Sequence, residues 1–288
     1  MQVIGLCRFS YPALGGFQVE HDSVPAREAY LYAPARMEER FRTFAALTLP
    51  PLRAQTDPDF TLVIVVGESL PSPYLARLRA LVADLPQAVI QAHPPGPHRQ
   101  VMRQAINAVR GPAGEGPSAQ FRMDDDDAVA VDFVERLRAE ALAHAGLFAR
   151  HRHFAVDFNR GFIARADAEG LSVAPTQAPL TTAALGVVFR RGVDLSVMNF
   201  GHAKLARHMP VIRRSDSDML IRGHNEHNDS RQKDGIAPVA LRRLDAAGEA
   251  HVARRFAIDC DRVRAIHSDA IHSDAGPSNP GRDVGPRD

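Results

Sequence analysis

The sequence predicts an α/β protein whose mostly parallel central sheet is flanked by helices and followed by a smaller mixed C-terminal extension. Strand-like and helix-like segments alternate through the first half, and a run of acids stands where the fourth strand-like segment ends. The second half changes to short strand-like segments between proline- and threonine-rich loops. Because alternating strands and helices build parallel sheets covered by helices, we expect a ligand site beyond the carboxyl ends of the strands.

Apolar runs mark the predicted strands of the first half. Residues 3–9 predict a short buried strand, and residues 61–66 (TLVIVV) predict a stronger one that is rich in β-branched side chains. Residues 88–92 predict a weaker third strand. Residues 120–123 predict a fourth strand, which runs directly into the acids.

Helical spacing of apolar residues separates these strands. It is found in three segments, at residues 37–48, 74–82 and 99–109. The double proline, Pro50 and Pro51, is expected to interrupt the first of these helices. After the acids, Asp132 is expected to cap a further helix, with Glu135 completing a capping box.

The second half predicts strands at residues 154–158, 161–165 and 185–190. From about Ile266 the sequence repeats IHSDA and then becomes rich in glycine, proline and charge. Such a composition buries too little apolar surface to offset the entropy of ordering. We therefore expect a single domain over residues 1–265 and a disordered tail over residues 266–288.

Composition narrows the class of protein. The 35 Lys and Arg nearly cancel the 34 Asp and Glu, so bulk charge gives no reason to expect a nucleic-acid or membrane partner. The two cysteines, Cys7 and Cys260, form neither a disulfide framework nor a zinc pattern. No window approaches the roughly 20 apolar residues of a membrane span, and no basic region precedes the apolar start. We expect a mature protein that begins at Met1 and works in the cytoplasm.

Residues 124–127 are four consecutive aspartates, and crowded like charges disfavour ionisation of one another. A divalent cation would offset this repulsion, because Mg²⁺ and Mn²⁺ take oxygen ligands, often carboxylates together with substrate phosphates. Strand geometry would place Asp124 and Asp126 on one face, with Asp127 beside them. The alternatives are a solvated acidic turn that caps the next helix, or a calcium loop, which here lacks its glycine and its closing glutamate.

Three passages carry a family resemblance: IGLCRFS at the first strand, LPPLRAQTDPDFTLVIVVGE around the second, and FRMDDDDAVAVDFVERL at the acids. They span about residues 2–140, with weaker likeness to about Ser230. In these passages the chain resembles the bacterial putative rhamnosyltransferase family, within the glycosyltransferases of the GT-A fold. The resemblance implies a GT-A-like, Rossmann-like domain with a nucleotide-binding half at residues 1–145 and an acceptor-binding half at residues 146–265.

The resemblance also implies a site for Mn²⁺ or Mg²⁺. The acids resemble the family's Asp-x-Asp-Asp motif, so Asp124 would contact the nucleotide ribose or the metal, and Asp126 would ligate the cation. Asp127 is a further ligand candidate. Enzymes of this fold often recruit a late histidine, for which IRGHNEHNDS offers His224 and His227; His224 is preferred because it follows an apolar run.

The strand ends and a basic helix supply the remaining candidates. Expected contacts to the nucleotide-sugar donor are Arg8, Phe9, Ser10, Glu68, Arg99, Arg103, Asp124 and Asp125. Glu68 stands where the family more usually has an aspartate. Candidates for the general base that deprotonates the acceptor are Asp157, Asp216 and Asp218.

The implied function is metal-dependent transfer of a sugar, rhamnose by the family name, from a nucleotide-sugar donor in cell-surface polysaccharide or glycoconjugate synthesis. The expected partners are that donor and a carbohydrate or other hydroxyl acceptor, without nucleic acid or a transmembrane segment, and with peripheral membrane association left open. Two alternatives stay open. One is a nucleotidyltransferase, although YPALGG poorly matches its glycine-rich phosphate loop, and the other is a non-catalytic carbohydrate- or cation-binding protein.

Overall fold

The computed structural model describes residues 1–15, 21–111, 116–224 and 239–273. The strands are β1 (Gln2–Arg8), β2 (Thr61–Gly67), β3 (Ala88–His93), β4 (Ser118–Asp124), β5 (Ala128–Val129), β6 (His153–Phe158), β7 (Arg160–Asp167), β8 (Gly170–Gln177), β9 (Leu185–Phe189), β10 (Val211–Arg214), β11 (Leu220–Gly223) and β12 (Arg242–Arg243). The α-helices are α1 (Val24–Leu31), α2 (Pro34–Thr43), α3 (Leu49–Arg53), α4 (Ser72–Leu81), α5 (His98–Val109), α6 (Phe133–Ala143), α7 (Ala246–Phe256) and α8 (Cys260–Ser273).

A seven-stranded sheet in the order β10-β6-β9-β4-β1-β2-β3 forms the centre of the fold. β1 pairs in parallel with β2 and β4, β2 pairs in parallel with β3, and β10 does so with β6. Only β9 runs the other way, antiparallel to both β4 and β6. The prediction of a mostly parallel sheet flanked by helices is therefore confirmed, and all its strands but β9 end at one edge.

A second, five-stranded sheet in the order β12-β8-β7-β11-β5 lies beside that edge. It is mixed, because β7 pairs antiparallel with β8 but parallel with β11. Its edge strand β5 follows β4 after only three residues, so the acidic run is one of the links that join the two sheets. This link positions the acids between the carboxyl edge of one sheet and the end of β11 in the other.

The core explains why the apolar runs form these strands. In β2, residues 62–66 are all fully buried, as expected of a central parallel strand covered by helices on both faces. After β1, the ring of Phe9 packs between Phe41 and Phe44, with ring centroids 5.1 and 5.3 Å away. The helical segment that follows α1 is thereby held against the sheet.

The double proline does not end the helix that precedes it. α2 passes through a π-helical turn, Phe44–Thr48, directly into α3. Pro50 and Pro51 lie in the first turn of α3, where a missing N–H breaks no hydrogen bond that the helix needs. The predicted interruption was wrong, because the π-helical turn accommodates the two prolines within a continuous helical segment.

The predicted capping box at α6 is also absent. Asp132 does precede the helix, but its carboxylate pairs with Arg255 at 2.9 Å and accepts no bond from the first turn. Glu135 instead accepts a hydrogen bond from Thr56 Oγ1 at 2.6 Å. Both side chains tie α6 to distant segments, a use that a local sequence pattern does not reveal.

The expected boundary at residue 266 falls inside a helix. α8 continues to Ser273, and Ile266 packs against the core. The remaining part of the predicted tail, residues 274–288, lies outside the described residues. The predicted halves 1–145 and 146–265 share one sheet, since β6, β9 and β10 join β1–β4. Among the described residues, none of the helices combines the length and the apolar character needed to cross a membrane.

Candidate functional site

Three carboxylates converge at the end of β4. Asp124, Asp126 and Asp127 each offer an oxygen atom, and these atoms lie within 4.8 Å of one another. The Asp124 side chain is 41% exposed, whereas Asp126 and Asp127 are almost completely buried. The predicted pairing of Asp124 with Asp126 is thus present, and Asp127 joins them.

Backbone amides hold Asp127 in this cluster. Its Oδ2 accepts a hydrogen bond from the Asp124 N–H at 3.0 Å, and its Oδ1 accepts one from the Gly223 N–H at 3.3 Å. Burial, together with the nearby charges of Asp126 and Asp124, raises the pKa of Asp127 well above its usual range. Crowded, buried oxygen ligands of this kind fit Mg²⁺ or Mn²⁺, because a divalent cation would offset their repulsion.

Asp125 points away from the other three acids. Its Oδ1 accepts from Arg40 Nη1 at 2.5 Å, and its backbone carbonyl accepts from Thr48 Oγ1 at 3.0 Å. Both members of this ion pair are buried. Asp125 therefore anchors the acidic run to the helical segment that contains Arg40 and Thr48. This placement does not support the expected contact between Asp125 and the donor.

Gly223 closes the other side of the cluster. A Cβ at this position would lie 2.6 Å from Asp126 Cγ, so only glycine lets β11 approach the acids this closely. His224 follows immediately and is held by its N–H bond to the Ala164 carbonyl at 2.8 Å. It lines a cleft of about 420 Å³ beside the cluster. A metal-ligand role for His224 stays a prediction, and His227 lies outside the described residues.

Substituting alanine for Gly223 should weaken metal binding. The added methyl group would push against the carboxylate and backbone of Asp126, and we expect at least tenfold weaker Mn²⁺ affinity by titration calorimetry. The control is Gly146→Ala, because a Cβ there meets nothing within 4 Å. Equal Mn²⁺ affinity in the two variants would show that the close approach of β11 does not matter to the site.

The residues predicted to meet the nucleoside divide into two groups. Arg8 faces the cluster, with its Nη2 3.7 Å from Asp124 Oδ1, and Glu68 is exposed at the end of β2. Phe9 is fully buried in the core, so its predicted donor contact is wrong. Ser10 is also buried, and its hydroxyl accepts a hydrogen bond from Arg36 Nη1 at 3.1 Å, so it holds the Arg36 side chain instead.

Two basic residues near Asp124 were not identified from the sequence. Arg122 stands two residues before Asp124 on β4, and its Nη2 lies 2.8 Å from Nδ1 of His202, in the 3₁₀ turn His202–Arg207. The alternation of side chains along a strand could have identified Arg122, since positions 122 and 124 share a face. No local signal connects His202 to β4.

The predicted basic helix α5 is brought to the same place at its first turn. Arg99 is exposed near Gly201, where its Nη2 would lie 3.7 Å from an added Cβ. His98 lies behind it, and burial, reinforced by the charges of Arg8 and Arg122, lowers the pKa of His98 to about 3. Arg103 is exposed one turn further along and makes no ion pair within the described ranges. The structure thus supports a site position for Arg99 more than for Arg103.

The three candidate bases are not equivalent. Asp216 pairs with Arg136 at 2.6 Å, and Asp218 pairs with Arg160 at 2.9 Å, before β11 begins. Asp218 precedes Gly223 by five residues, roughly 16 Å of extended chain, so these two acids lie away from the cluster. Their predicted catalytic role is not supported by this placement.

Asp157 lies at the correct edge of the sheet. It is near the carboxyl end of β6, which runs parallel to β4 with β9 between them. Both of its oxygens accept from the Leu180 N–H, at 3.1 and 3.0 Å, and burial raises the pKa of Asp157. Its role as a base stays a prediction.

A mostly parallel sheet with clustered carboxylates at its strand ends defines an α/β protein with a metal-compatible ligand edge. Residues 2–236 match the model of the family described as "Putative rhamnosyl transferase", and the chain belongs to that family. This makes it a member of a glycosyltransferase family. A search of curated proteins found no matching relative.

Solved structures with a similar course include TarS of S. aureus. The TarS 1–349 complex with UDP-GlcNAc is 11% identical, with 80% of this chain and 60% of that chain covered, at a TM-score of 0.43. The TarS 1–349 complex with UDP is 11% identical, with 78% of this chain and 61% of that chain covered, at a TM-score of 0.41. At these values the likeness carries no conclusion about this chain's chemistry.

Proposed function

We propose that the chain is a metal-dependent glycosyltransferase that moves a sugar from a nucleotide-sugar donor to a hydroxyl acceptor. The observation that carries the proposal is the convergence of Asp124, Asp126 and Asp127 where the parallel strands β1, β2 and β4 end. Ligands of α/β sheets bind beyond this edge, and carboxylates there are suited to a cation that meets phosphate oxygens. Family membership supplies the reaction class.

The residues have separate roles in this proposal. Asp124, Asp126 and Asp127 would hold Mn²⁺ or Mg²⁺, with His224 as a further ligand candidate. A cation bound there supplies positive charge that stabilises a departing nucleoside diphosphate. Arg8 orients Asp124, while the buried amide bonds orient Asp127. Asp157 is the preferred candidate for the general base, since it alone of the three predicted acids lies within a strand of the central sheet, near the carboxyl end of β6.

The family description supports a finer proposal for the transferred sugar, which is rhamnose. We further propose a carbohydrate or other hydroxyl compound as the acceptor, and cell-surface polysaccharide or glycoconjugate synthesis as the setting. A cytoplasmic location for the protein, where nucleotide sugars are the donors, is part of this proposal. Each of these assignments is open to direct measurement with purified protein.

A thermal-shift panel of UDP-, GDP- and dTDP-sugars, each with and without Mn²⁺, tests the donor. A ligand present at a hundred times its Kd stabilises the folded state by about 2.7 kcal/mol, which should raise Tm by roughly 5 °C in a chain of this size. We expect this shift with one nucleotide class and only when Mn²⁺ is present. No shift with any sugar nucleotide would contradict the proposal.

Donor hydrolysis then separates catalysis from binding. We expect slow release of nucleoside diphosphate from the stabilising donor in Mn²⁺, and its loss in chelator. Binding without hydrolysis or transfer to any acceptor would favour a carbohydrate- or cation-binding protein. Release of pyrophosphate from a nucleoside triphosphate and a sugar phosphate would favour a nucleotidyltransferase.

A further inference from the structure

A group of basic side chains lies near Asp124. Its centre is the contact between Arg122 Nη2 and His202 Nδ1, at 2.8 Å. Arg99 Nη2 lies beside Gly201, the residue before His202, and Arg222 lies on β11 next to Gly223. Burial, followed by the charges of Arg122 and Arg222, lowers the pKa of His202 to about 4, while Asp124 opposes this effect. Residues from β4, α5, β11 and a 3₁₀ turn are therefore brought together at one point.

The arginines of this group form no close ion pairs with carboxylates among the described residues. Within the described residues, Arg99, Arg122 and Arg222 take part in no ion pair, in contrast to Arg40, which is paired with Asp125. The other printed contact of the Arg122 guanidinium is Met198 Sδ, at 3.8 Å from Nη1. The guanidinium of Arg122 is partly buried without a close counter-ion, which is costly, so an anion at this place would stabilise it.

The contact with Arg122 also fixes which nitrogen of His202 carries the proton. A guanidinium has donors and no acceptor, so Nδ1 of His202 must accept from it. The imidazole is therefore neutral, with its hydrogen on Nε2. This leaves the Nε2–H as a hydrogen-bond donor, and together with the remaining N–H groups of Arg122 it forms a donor set suited to phosphate oxygens.

We propose that Arg122 and His202, with Arg99 and Arg222 beside them, form a diphosphate subsite that binds the donor next to the carboxylate cluster. This inference rests on the proposed function, because it places the diphosphate of the same nucleotide sugar. It assigns charge neutralisation to protein side chains in addition to the cation. Arginine suits this role, since its fork of N–H donors matches phosphate geometry and keeps its charge.

Titration calorimetry with inorganic pyrophosphate and with UDP, both in Mn²⁺, tests the subsite. Pyrophosphate reports the subsite without any contribution from the base. Loss of one charge-assisted contact should weaken binding about tenfold to a hundredfold, so we expect that loss for Arg122→Gln and a similar one for His202→Ala. The matched control is Arg79→Gln, an exposed arginine of α4 that forms no ion pair in the described part of the chain.

The outcomes separate this inference from the proposed function. If wild-type protein binds neither UDP nor any sugar nucleotide, the proposed function fails. If wild-type protein binds but both variants bind pyrophosphate as tightly as the control, the subsite alone is wrong. Should Arg122→Gln fail to fold, as judged by its thermal melt, His202→Ala decides, because its side chain lies in a surface turn and not in the central sheet.

Discussion

Replacing Asp126 with asparagine is expected to abolish Mn²⁺-dependent binding of the nucleotide-sugar donor. The substitution keeps the shape of the side chain but removes a charge from the centre of the cluster, where Asp124 and Asp127 lie within 4.8 Å. Loss of a ligand should exceed the roughly 10–100-fold effect typical of a residue that merely orients one. Titration calorimetry of Mn²⁺, in the presence of the stabilising nucleotide, measures the change.

Thermal unfolding distinguishes this effect from damage to the fold. Asp126→Asn without metal should melt close to the wild-type temperature, because relief of the repulsion between crowded carboxylates offsets the loss of the 4.0 Å ion pair with Arg40. Asp194→Asn, which changes an exposed aspartate far along the chain, is the control for charge alone. Wild-type Mn²⁺ affinity in Asp126→Asn would remove the carboxylate cluster from consideration as the metal site.

Replacing Arg40 with methionine is expected to cost about 3–5 kcal/mol of folding free energy, because it leaves Asp125 charged and buried without its cation. Arg40 and Asp125 are each only 4% exposed, so solvent cannot replace the lost contact. In a chain of this size the loss should lower Tm by roughly 10 °C. Urea unfolding followed by circular dichroism gives the free energy directly.

The double variant Arg40→Met with Asp125→Leu separates this pair from the longer contact of Arg40 Nη1 with Asp126 Oδ2, at 4.0 Å. Replacing both members of a buried ion pair with apolar groups is often neutral, so much of the lost stability should return. Equal instability of the single and double variants would show that Arg40 acts through contacts other than Asp125. The exposed pair of Arg77 and Glu38 offers a comparison, since disrupting a surface pair should cost at most about 1 kcal/mol.

Much of the parallel sheet could be predicted, because each of these strands is marked by the residues of its own short segment. The apolar runs of β1, β2 and β4 and the helical spacing of α4 and α5 require no knowledge of distant residues. The insertion of β9 between β4 and β6 could not be predicted in this way, because it depends on pairing between segments about 65 residues apart, such as Phe121 with Gly186.

The site shows the same division. The four consecutive aspartates at residues 124–127 can be recognised in the sequence, and the predicted end of the fourth strand gives their location in the fold. Their individual roles depend on partners elsewhere: Arg40 turns Asp125 inward, while Gly223 approaches Asp126 and Asp127. The sequence also suggested Asp216 and Asp218 as candidate bases. In the structure these two acids form ion pairs with Arg136 and Arg160.

The π-helical turn, Phe44–Thr48, determines how the side chains of Arg40 and Thr48 are rotated about the helix axis relative to each other. Arg40 and Thr48 both hold Asp125, one through its carboxylate and one through its carbonyl. In a regular α-helix eight residues advance about 2.2 turns, which would carry Thr48 off the face of Arg40. A π turn takes up one additional residue and brings the two side chains back into line. Deleting one residue here would leave a regular α-helix in which Arg40 and Thr48 stand about 1.9 turns apart, so both should keep their contacts to Asp125.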